Sequence, residues 1–246
     1  MQRIRSGNPA VFLYTVFTAS CLEAVFFVFL KKREVDVLAE IHLLSDGKLA
    51  AEPFAVLAAA VHPQVDYIHL REKKLSARGL YQMAVGLLRA GVPAGKLIIN
   101  DRLDVAMAVG AAGVQLAWHS LPAAPARLAA GATLRLGSSV HSVQEIRDAG
   151  CQGADYCLFG HVYPSTSKPG LRERGLAQLK EAVLAAGVPV IALGGITPDN
   201  APEVLQAGAA GIAVMSGICG ADDPFAASQA YRNAVTGAAA KGGEKA

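Results

Sequence analysis

The sequence has few of the residues that would mark it as a metal-binding, disulfide-stapled or nucleic-acid-binding protein. Its 246 residues include only four cysteines, with no CxxC spacing and no histidines at zinc-ligand intervals. A chain of this length needs no disulfide staples, so we expect reduced thiols in a cytoplasmic protein. Charged residues make up 17% of the chain, the net charge is +3, and neither sign forms a long run. The sequence therefore argues against nucleic acid as a partner.

Hydrophobic residues, by contrast, make up 52% of the chain. A chain of this length and composition can bury a large core, and one large domain is the default expectation. A small-molecule partner fits such a domain, and a homo-oligomer is compatible with it.

One long apolar run, residues 9–30, does not fit this pattern. It is long enough to span a membrane, contains a single charge at Glu23, and has basic residues on both sides. Three interpretations stay open: a membrane anchor or uncleaved signal, an upstream stretch attached by a wrongly assigned start codon, or an extra packed helix. We treat residues 1–35 as an extension and residues 36–246 as the folded domain, with membrane contact only if the run is real.

From Glu40 onward, short β-branched runs alternate with alanine-rich helical stretches, several of which stop at glycine. The strands are near-continuously apolar, as expected where both faces are covered. Eight βα units in about 210 residues favour the α/β class and a TIM (β/α)8 barrel over an open doubly wound sheet. The strand candidates are residues 40–47, 66–72, 96–101, 113–117, 133–141, 154–162, 189–196 and 211–218.

The carboxyl ends of these strands, where TIM barrels form their active sites, are almost all polar or glycine. We therefore predict a functional rim. Cationic Arg71 and Lys168 are suited to an anionic group of the substrate, and the long connection from 164 to 175 is suited to a lid. The candidate substrate-binding residues are Arg71, Asn100, Ser139, His141 and Lys168.

The seventh and eighth strand ends read LGGI and VMSGI. Glycines let backbone N–H groups approach an anion closely, and the loops after strands 7 and 8 form a phosphate site in many TIM barrels. We therefore predict a phosphate-binding site at Gly194, Gly195, Met215 and Ser216.

His161 directly follows the sixth strand, in the stretch FGHVYPSTSKPG. A proton shift needs a group that accepts and donates a proton near neutral pH, and histidine, with a pKa near 6.5, is the suitable side chain. We predict His161 as the general acid/base, although His119 and His141 stand on the same rim. This chemistry needs no metal and no other cofactor.

The motifs HLREK, IINDRLDVA, SSVHS, PVIALGGI and GIAVMSGI resemble those of the thiamine phosphate synthase superfamily over residues 40–231. Within it, FGHVYPSTSKPGLRERGL is most similar to the thiazole tautomerase (TenI) branch. The resemblance implies an isomerase of thiamine biosynthesis that aromatises 2-carboxy-4-methylthiazol-5-ylidene ethyl phosphate. It places the phosphate site on Gly194, Gly195, Met215 and Ser216, and the catalytic histidine on His161.

Two alternatives stay open. The synthase branch joins a pyrimidine pyrophosphate to the thiazole phosphate with Mg²⁺, which two acidic residues hold. Asp101 matches the first of these, but Ser120 stands where the second would be, and a neutral hydroxyl is a weaker Mg²⁺ ligand than a carboxylate. The other alternative is a barrel that binds a phosphorylated metabolite and regulates without catalysis.

Overall fold

The computed structural model describes residues 39–165, 170 and 172–243. Eight strands form a closed barrel in sequence order, and every neighbouring pair is parallel. The predicted TIM barrel is therefore confirmed. The strands are β1 (Glu40–Leu44), β2 (Tyr67–Leu70), β3 (Leu97–Asn100), β4 (Gly113–Leu116), β5 (Arg135–Val140), β6 (Tyr156–Gly160), β7 (Val190–Leu193) and β8 (Gly211–Val214).

Helices follow the strands and cover the barrel. Two of them begin at serines that cap the first turn: Ser76 accepts from the Gly79 N–H and Ser142 from the Glu145 N–H, each at 3.2 Å. The helices are α1 (Ala51–Val61), α2 (Ala77–Arg89), α3 (Leu103–Ala108), α4 (Ala123–Ala130), α5 (Val143–Cys151), α6 (Gly175–Ala185), α7 (Ala201–Gln206), α8 (Ser216–Cys219) and α9 (Pro224–Gly243), with a 3₁₀ turn at Ala94–Lys96.

The barrel has two buried layers of different character. Outward side chains such as Ile41, Ile68 and Ile99 pack against the helices in one continuous apolar core. The interior is apolar where Leu158 and Ile191 meet, but polar side chains fill its other half. The expectation of near-continuously apolar strands is therefore wrong for β1 and β2, because alternate residues of these strands point into a polar interior.

The eighth strand is shorter than the sequence predicts. It ends at Val214, and Ser216 begins the short helix α8 instead of continuing the strand. The chain turns at Met215, where φ is −127° and ψ is −81°. A short extra helix after the eighth strand is a recurring part of phosphate sites in this fold.

The interpretations of the apolar run at 9–30 and of the extension 1–35 lie outside the described residues. Among residues 39–165, 170 and 172–243, no helix is both long and apolar enough to cross a membrane. Cys157 and Cys219 are free thiols, and burial raises the pKa of each to about 12.

Candidate active site

The turn after β7 is built from two glycines that no other residue could replace without strain. Gly194 has φ 100° and Gly195 has φ 67°, both in the left-handed region. A Cβ at Gly194 would lie 2.4 Å from the His161 Cβ, and one at Gly195 would lie 2.4 Å from the Pro164 carbonyl oxygen. The turn is held from outside, because the Asn200 amide donates to the Gly195 carbonyl at 3.1 Å. Because these two glycines have no side chains, the backbone of the turn after β7 can lie close to the residues that follow β6.

Beside this turn, Met215 and Ser216 connect β8 to α8. The first N–H groups of a helix have no partner within the helix, so the start of α8 exposes donors at this end of the barrel. β7 and β8 are paired neighbours, with Leu193 opposite Ala213, which brings both turns to one sector of the rim. The structure thus places the four predicted phosphate-binding residues together.

Asp101 follows β3 and is the one non-glycine residue in the described part of the chain with a positive φ, 67°. Aspartate and asparagine tolerate this conformation better than most residues. The Ser120 hydroxyl donates to Asp101 Oδ1 at 2.6 Å and accepts from the Ala117 N–H at 2.8 Å. His119 Nε2 lies 3.8 Å from Asp101 Oδ2. The loop after β4 is therefore fastened to a carboxylate that stays partly open to solvent.

The donor set at Asp101 bears on the metal that the synthase branch requires. No cluster of three or more histidine, cysteine or acidic residues is arranged for a metal ion within the described ranges. Mg²⁺, however, keeps several waters and is commonly bound by one or two carboxylates together with substrate phosphates. Asp101, half exposed and flanked by the Ser120 hydroxyl, fits an ion of this kind. It does not form a cation site made of protein ligands alone.

Three of the predicted substrate-binding residues line the rim from β2 to β5. The Arg71 backbone N–H donates to the Ser45 hydroxyl at 2.8 Å, which ties the ends of β1 and β2 together, and burial lowers the pKa of the Arg71 guanidinium. Asn100 ends β3, next to Asp101. Ser139 accepts a hydrogen bond from the Gln115 amide at 3.0 Å. Gln115, which the sequence analysis did not select, is fully buried and belongs to this row.

The other two predicted substrate-binding residues are placed differently. His141 pairs with Glu145 of α5: the His141 backbone N–H donates to Glu145 Oε2 at 2.6 Å, and the His141 ring Nδ1 lies 3.6 Å from the same oxygen. Lys168 lies outside the described residues, and so do residues 166, 167, 169 and 171 of the predicted lid.

His161 is 6% exposed and packs against Gly194 at the end of β6. Its carbonyl oxygen accepts from the Arg174 N–H at 3.0 Å, and the Arg174 side chain donates to the Gly160 carbonyl at 2.9 Å. His161 therefore lies next to the predicted phosphate-binding turn and lines the candidate site.

A buried polar cluster was not foreseen from the sequence. Glu40 receives two hydrogen bonds from Arg135, at 3.1 and 2.9 Å, and lies 3.0 Å from His42 Nε2. His42 Nδ1 lies 2.8 Å from His69 Nε2. Both histidines are fully buried. The available signal was the alternation of polar and apolar residues in EIHLL and YIHL, which indicates a polar inner face.

This cluster predicts that the protein loses stability in mild acid. Burial lowers the pKa of both His42 and His69 below 6.5, so below that pH the unfolded chain binds protons that the folded chain excludes. Each histidine then contributes a loss of up to about 1.4 kcal/mol per pH unit. The measurement is urea unfolding at pH 7.5 and 5.5.

The variant His69→Gln removes one of the two buried histidines, so the loss of stability between these two pH values should be smaller than in the wild type. Equal free energies of unfolding for the wild type at the two pH values would contradict the prediction. Glu40, whose pKa falls to about 2 because hydrogen bonds from His42 and Arg135 outweigh its burial, stays ionised across this window.

The fold and the polar rim define a (β/α)8-barrel protein with its candidate site at the carboxyl ends of the strands. A family model described as thiamine monophosphate synthase matches residues 41–218. The chain belongs to this family.

Two curated relatives have similar sequence identities to this chain. A thiamine-phosphate synthase of Natronomonas pharaonis is 40% identical over 202 residues, covering 79% of this chain and 92% of the relative. One of Methanoculleus marisnigri is 41% identical, with coverages of 72% and 85%. Among solved structures, the thiamine phosphate pyrophosphorylase of Pyrococcus furiosus has a TM-score of 0.71 at 32% identity and covers 83% of this chain and 99% of its own.

These relatives correct the functional expectation. The prediction of an isomerase, a thiazole tautomerase, is wrong, because the relatives at 40% and 41% identity are named as synthases, which are transferases. The resemblance to the family itself is confirmed, and the assignment to its tautomerase branch is not supported. The proton-shift role of His161 depended on the isomerase reaction and loses its basis.

Proposed function

We propose that this protein is a thiamine-phosphate synthase, a transferase that joins a pyrimidine diphosphate ester to a thiazole phosphate. The observation that carries the proposal is the 40% identity to a named synthase across 92% of that relative's length. In this reaction the pyrimidine methylene carbon exchanges its C–O bond for a C–N bond to the thiazole ring nitrogen. The electron pair of the broken bond leaves with pyrophosphate.

The two glycine-containing turns support the binding of the thiazole phosphate. Gly194 and Gly195 keep the backbone free of side chains, and the start of α8 supplies further N–H donors beside them. Hydrogen bonds of this kind to a charged group contribute about 1.5–3 kcal/mol each. The bound phosphate thereby holds the nucleophilic thiazole ring over the barrel. This binding uses backbone N–H groups and needs no reactive side chain of the protein.

Asp101 and Arg71 support the binding of the diphosphate on the opposite side of the rim. Bound Mg²⁺ would neutralise charge on the departing pyrophosphate, with Asp101 as its protein ligand. The Ser120 hydroxyl holds the Asp101 carboxylate at 2.6 Å and fixes its direction. Arg71, a partly buried cation on the neighbouring strand end, is placed to pair with phosphate oxygens.

The test is formation of thiamine phosphate by the purified full chain from the two substrates. We expect product in the presence of Mg²⁺ and its loss with EDTA, restored by excess Mg²⁺. Pyrophosphate should appear in equal amount. Failure to form thiamine phosphate at any Mg²⁺ concentration would contradict the proposed function.

A further inference from the structure

Four side chains form a continuous hydrogen-bonded chain inside the barrel. It begins at Arg135, which donates two hydrogen bonds to Glu40. It continues from Glu40 Oε2 to His42 Nε2 at 3.0 Å. It ends with the 2.8 Å contact between His42 Nδ1 and His69 Nε2. These hydrogen-bonded side chains therefore connect the first residues of β1 and β5 with the middle of β2.

Two aromatic rings and a guanidinium pack closely around these hydrogen-bonded side chains. The Tyr67 and Tyr156 rings lie 5.0 and 5.4 Å from the His42 ring, and the Arg135 guanidinium lies 4.5 and 4.6 Å from the same two rings. This environment excludes water and places a fixed cation near both histidines. A second positive charge on either ring is disfavoured, and both are neutral at pH 7.5.

The order of hydrogen-bond donors along the chain follows from its ionised end. The Glu40 carboxylate only accepts, so His42 Nε2 carries the proton between them. Because His42 is neutral, its Nδ1 accepts, and His69 Nε2 must donate to it. His69 is neutral as well, which leaves its Nδ1 without a proton. The Glu40 carboxylate at one end thus determines that His69 Nδ1, at the other end, is an unprotonated acceptor.

Nδ1 is the ring nitrogen of His69 that remains for the rim residue Asn100, because Nε2 is in contact with His42. The Asn100 side chain interacts with the His69 ring, yet His69 Nδ1 and Asn100 Oδ1 are both buried without a hydrogen-bond partner. Two acceptors cannot bond to each other. A half-turn of the Asn100 amide exchanges its oxygen for its NH₂ group, which donates to His69 Nδ1. Since Asn100 is only partly buried, the oxygen then faces the open side of the rim.

We propose that the Arg135–Glu40–His42–His69 chain is a positioning relay that holds the Asn100 amide with its NH₂ group on His69 and its oxygen towards the substrate. The oxygen would accept an N–H from a nitrogen heterocycle bound at the rim. The relay acts through Asn100, and none of the four relay side chains touches the substrate itself. Only the identity of that heterocycle, an aminopyrimidine, rests on the proposed function.

Nitrogen-15 NMR of the histidine-labelled full chain tests the relay without any assay of activity. Loss of a signal in His69→Gln assigns the residue. At pH 7.5 we expect His69 Nδ1 unprotonated and Nε2 protonated. In Asn100→Asp, a carboxylate replaces the donor, so His69 Nδ1 should become protonated. A protonated Nδ1 in the wild type, or an unprotonated one in Asn100→Asp, would overturn the proposal.

Kinetics of Glu40→Gln provide the second readout. Glutamine can donate a hydrogen bond as well as accept one, so it no longer fixes which ring nitrogens of His42 and His69 carry the protons. We expect KM for the heterocyclic substrate to rise about tenfold with kcat changed less. Asp155→Asn removes another carboxylate that pairs with an arginine, Arg127, outside the relay, and should leave KM and the His69 spectrum unchanged. Equal KM values for the two variants would refute the relay. A wild-type enzyme that makes no thiamine phosphate would contradict the proposed function alone, since the NMR result stands independently.

Discussion

Asp101→Asn is expected to lower kcat for thiamine phosphate formation by about 10²–10³-fold, because it removes the carboxylate that we propose as the cation ligand beside the leaving diphosphate. Asparagine tolerates the left-handed backbone at this position, where φ is 67°, and its amide can still pair with Ser120. The fold should therefore survive. The measurement is kcat as a function of Mg²⁺ concentration, with the melting temperature as a check on folding.

Asp104→Asn is the matched control, since Asp104 lies three residues further on and pairs with Arg102 at the surface. It should leave kcat unchanged. Ser120→Asp tests the same site in the opposite direction, because a second carboxylate beside Asp101 should lower the Mg²⁺ concentration for half-maximal activity about tenfold. Full activity in Asp101→Asn would remove Asp101 from the reaction and with it the cation site.

Gly194→Ala should raise KM for the thiazole phosphate by about 100-fold or more. The new Cβ would lie 2.4 Å from the His161 Cβ and 2.7 Å from its Cα, so the turn must move away from the end of β6. That displacement takes the backbone donors out of reach of the phosphate, and two lost charge-assisted hydrogen bonds account for about this factor. Steady-state kinetics with the thiazole phosphate varied measure the effect.

Gly91→Ala separates this effect from backbone strain. Gly91 has φ 97°, close to the 100° of Gly194, but a Cβ at Gly91 would meet nothing within 4 Å. Both variants share the left-handed cost of about 1–2 kcal/mol, and only Gly194→Ala should change KM. Ser216→Ala, which keeps its backbone N–H, should have a small effect. Unchanged KM in Gly194→Ala would place the phosphate elsewhere.

The choice of the tautomerase over the synthase rested partly on Ser120, and the named synthase relatives contradict that choice. The serine was taken to remove the metal, because a hydroxyl replaces a carboxylate. In the structure its hydroxyl instead orients the remaining carboxylate of Asp101, and a Mg²⁺ ion that arrives with a diphosphate needs few protein ligands. A single substitution in a motif therefore says less about the reaction than the similarity of the whole barrel.

The sequence by itself determined the barrel and the glycine turn that follows its seventh strand. Eight apolar runs separated by helical stretches allow few topologies, because parallel neighbours require crossover helices, and the glycines of LGGI mark a left-handed turn directly. These signals are local, so they can be found without coordinates. The pairing of Gly194 with His161 follows from the adjacency of β6 and β7.

Only the tertiary structure decided what fills the barrel. Arg135 and Glu40 are 95 residues apart in the sequence, and His42 and His69 are 27 apart, yet each pair is in hydrogen-bond contact. Such contacts depend on the register with which distant strands close the barrel, and no local pattern encodes a partner. A buried histidine becomes neutral, and a buried glutamate stays charged, according to what the closed barrel places beside it.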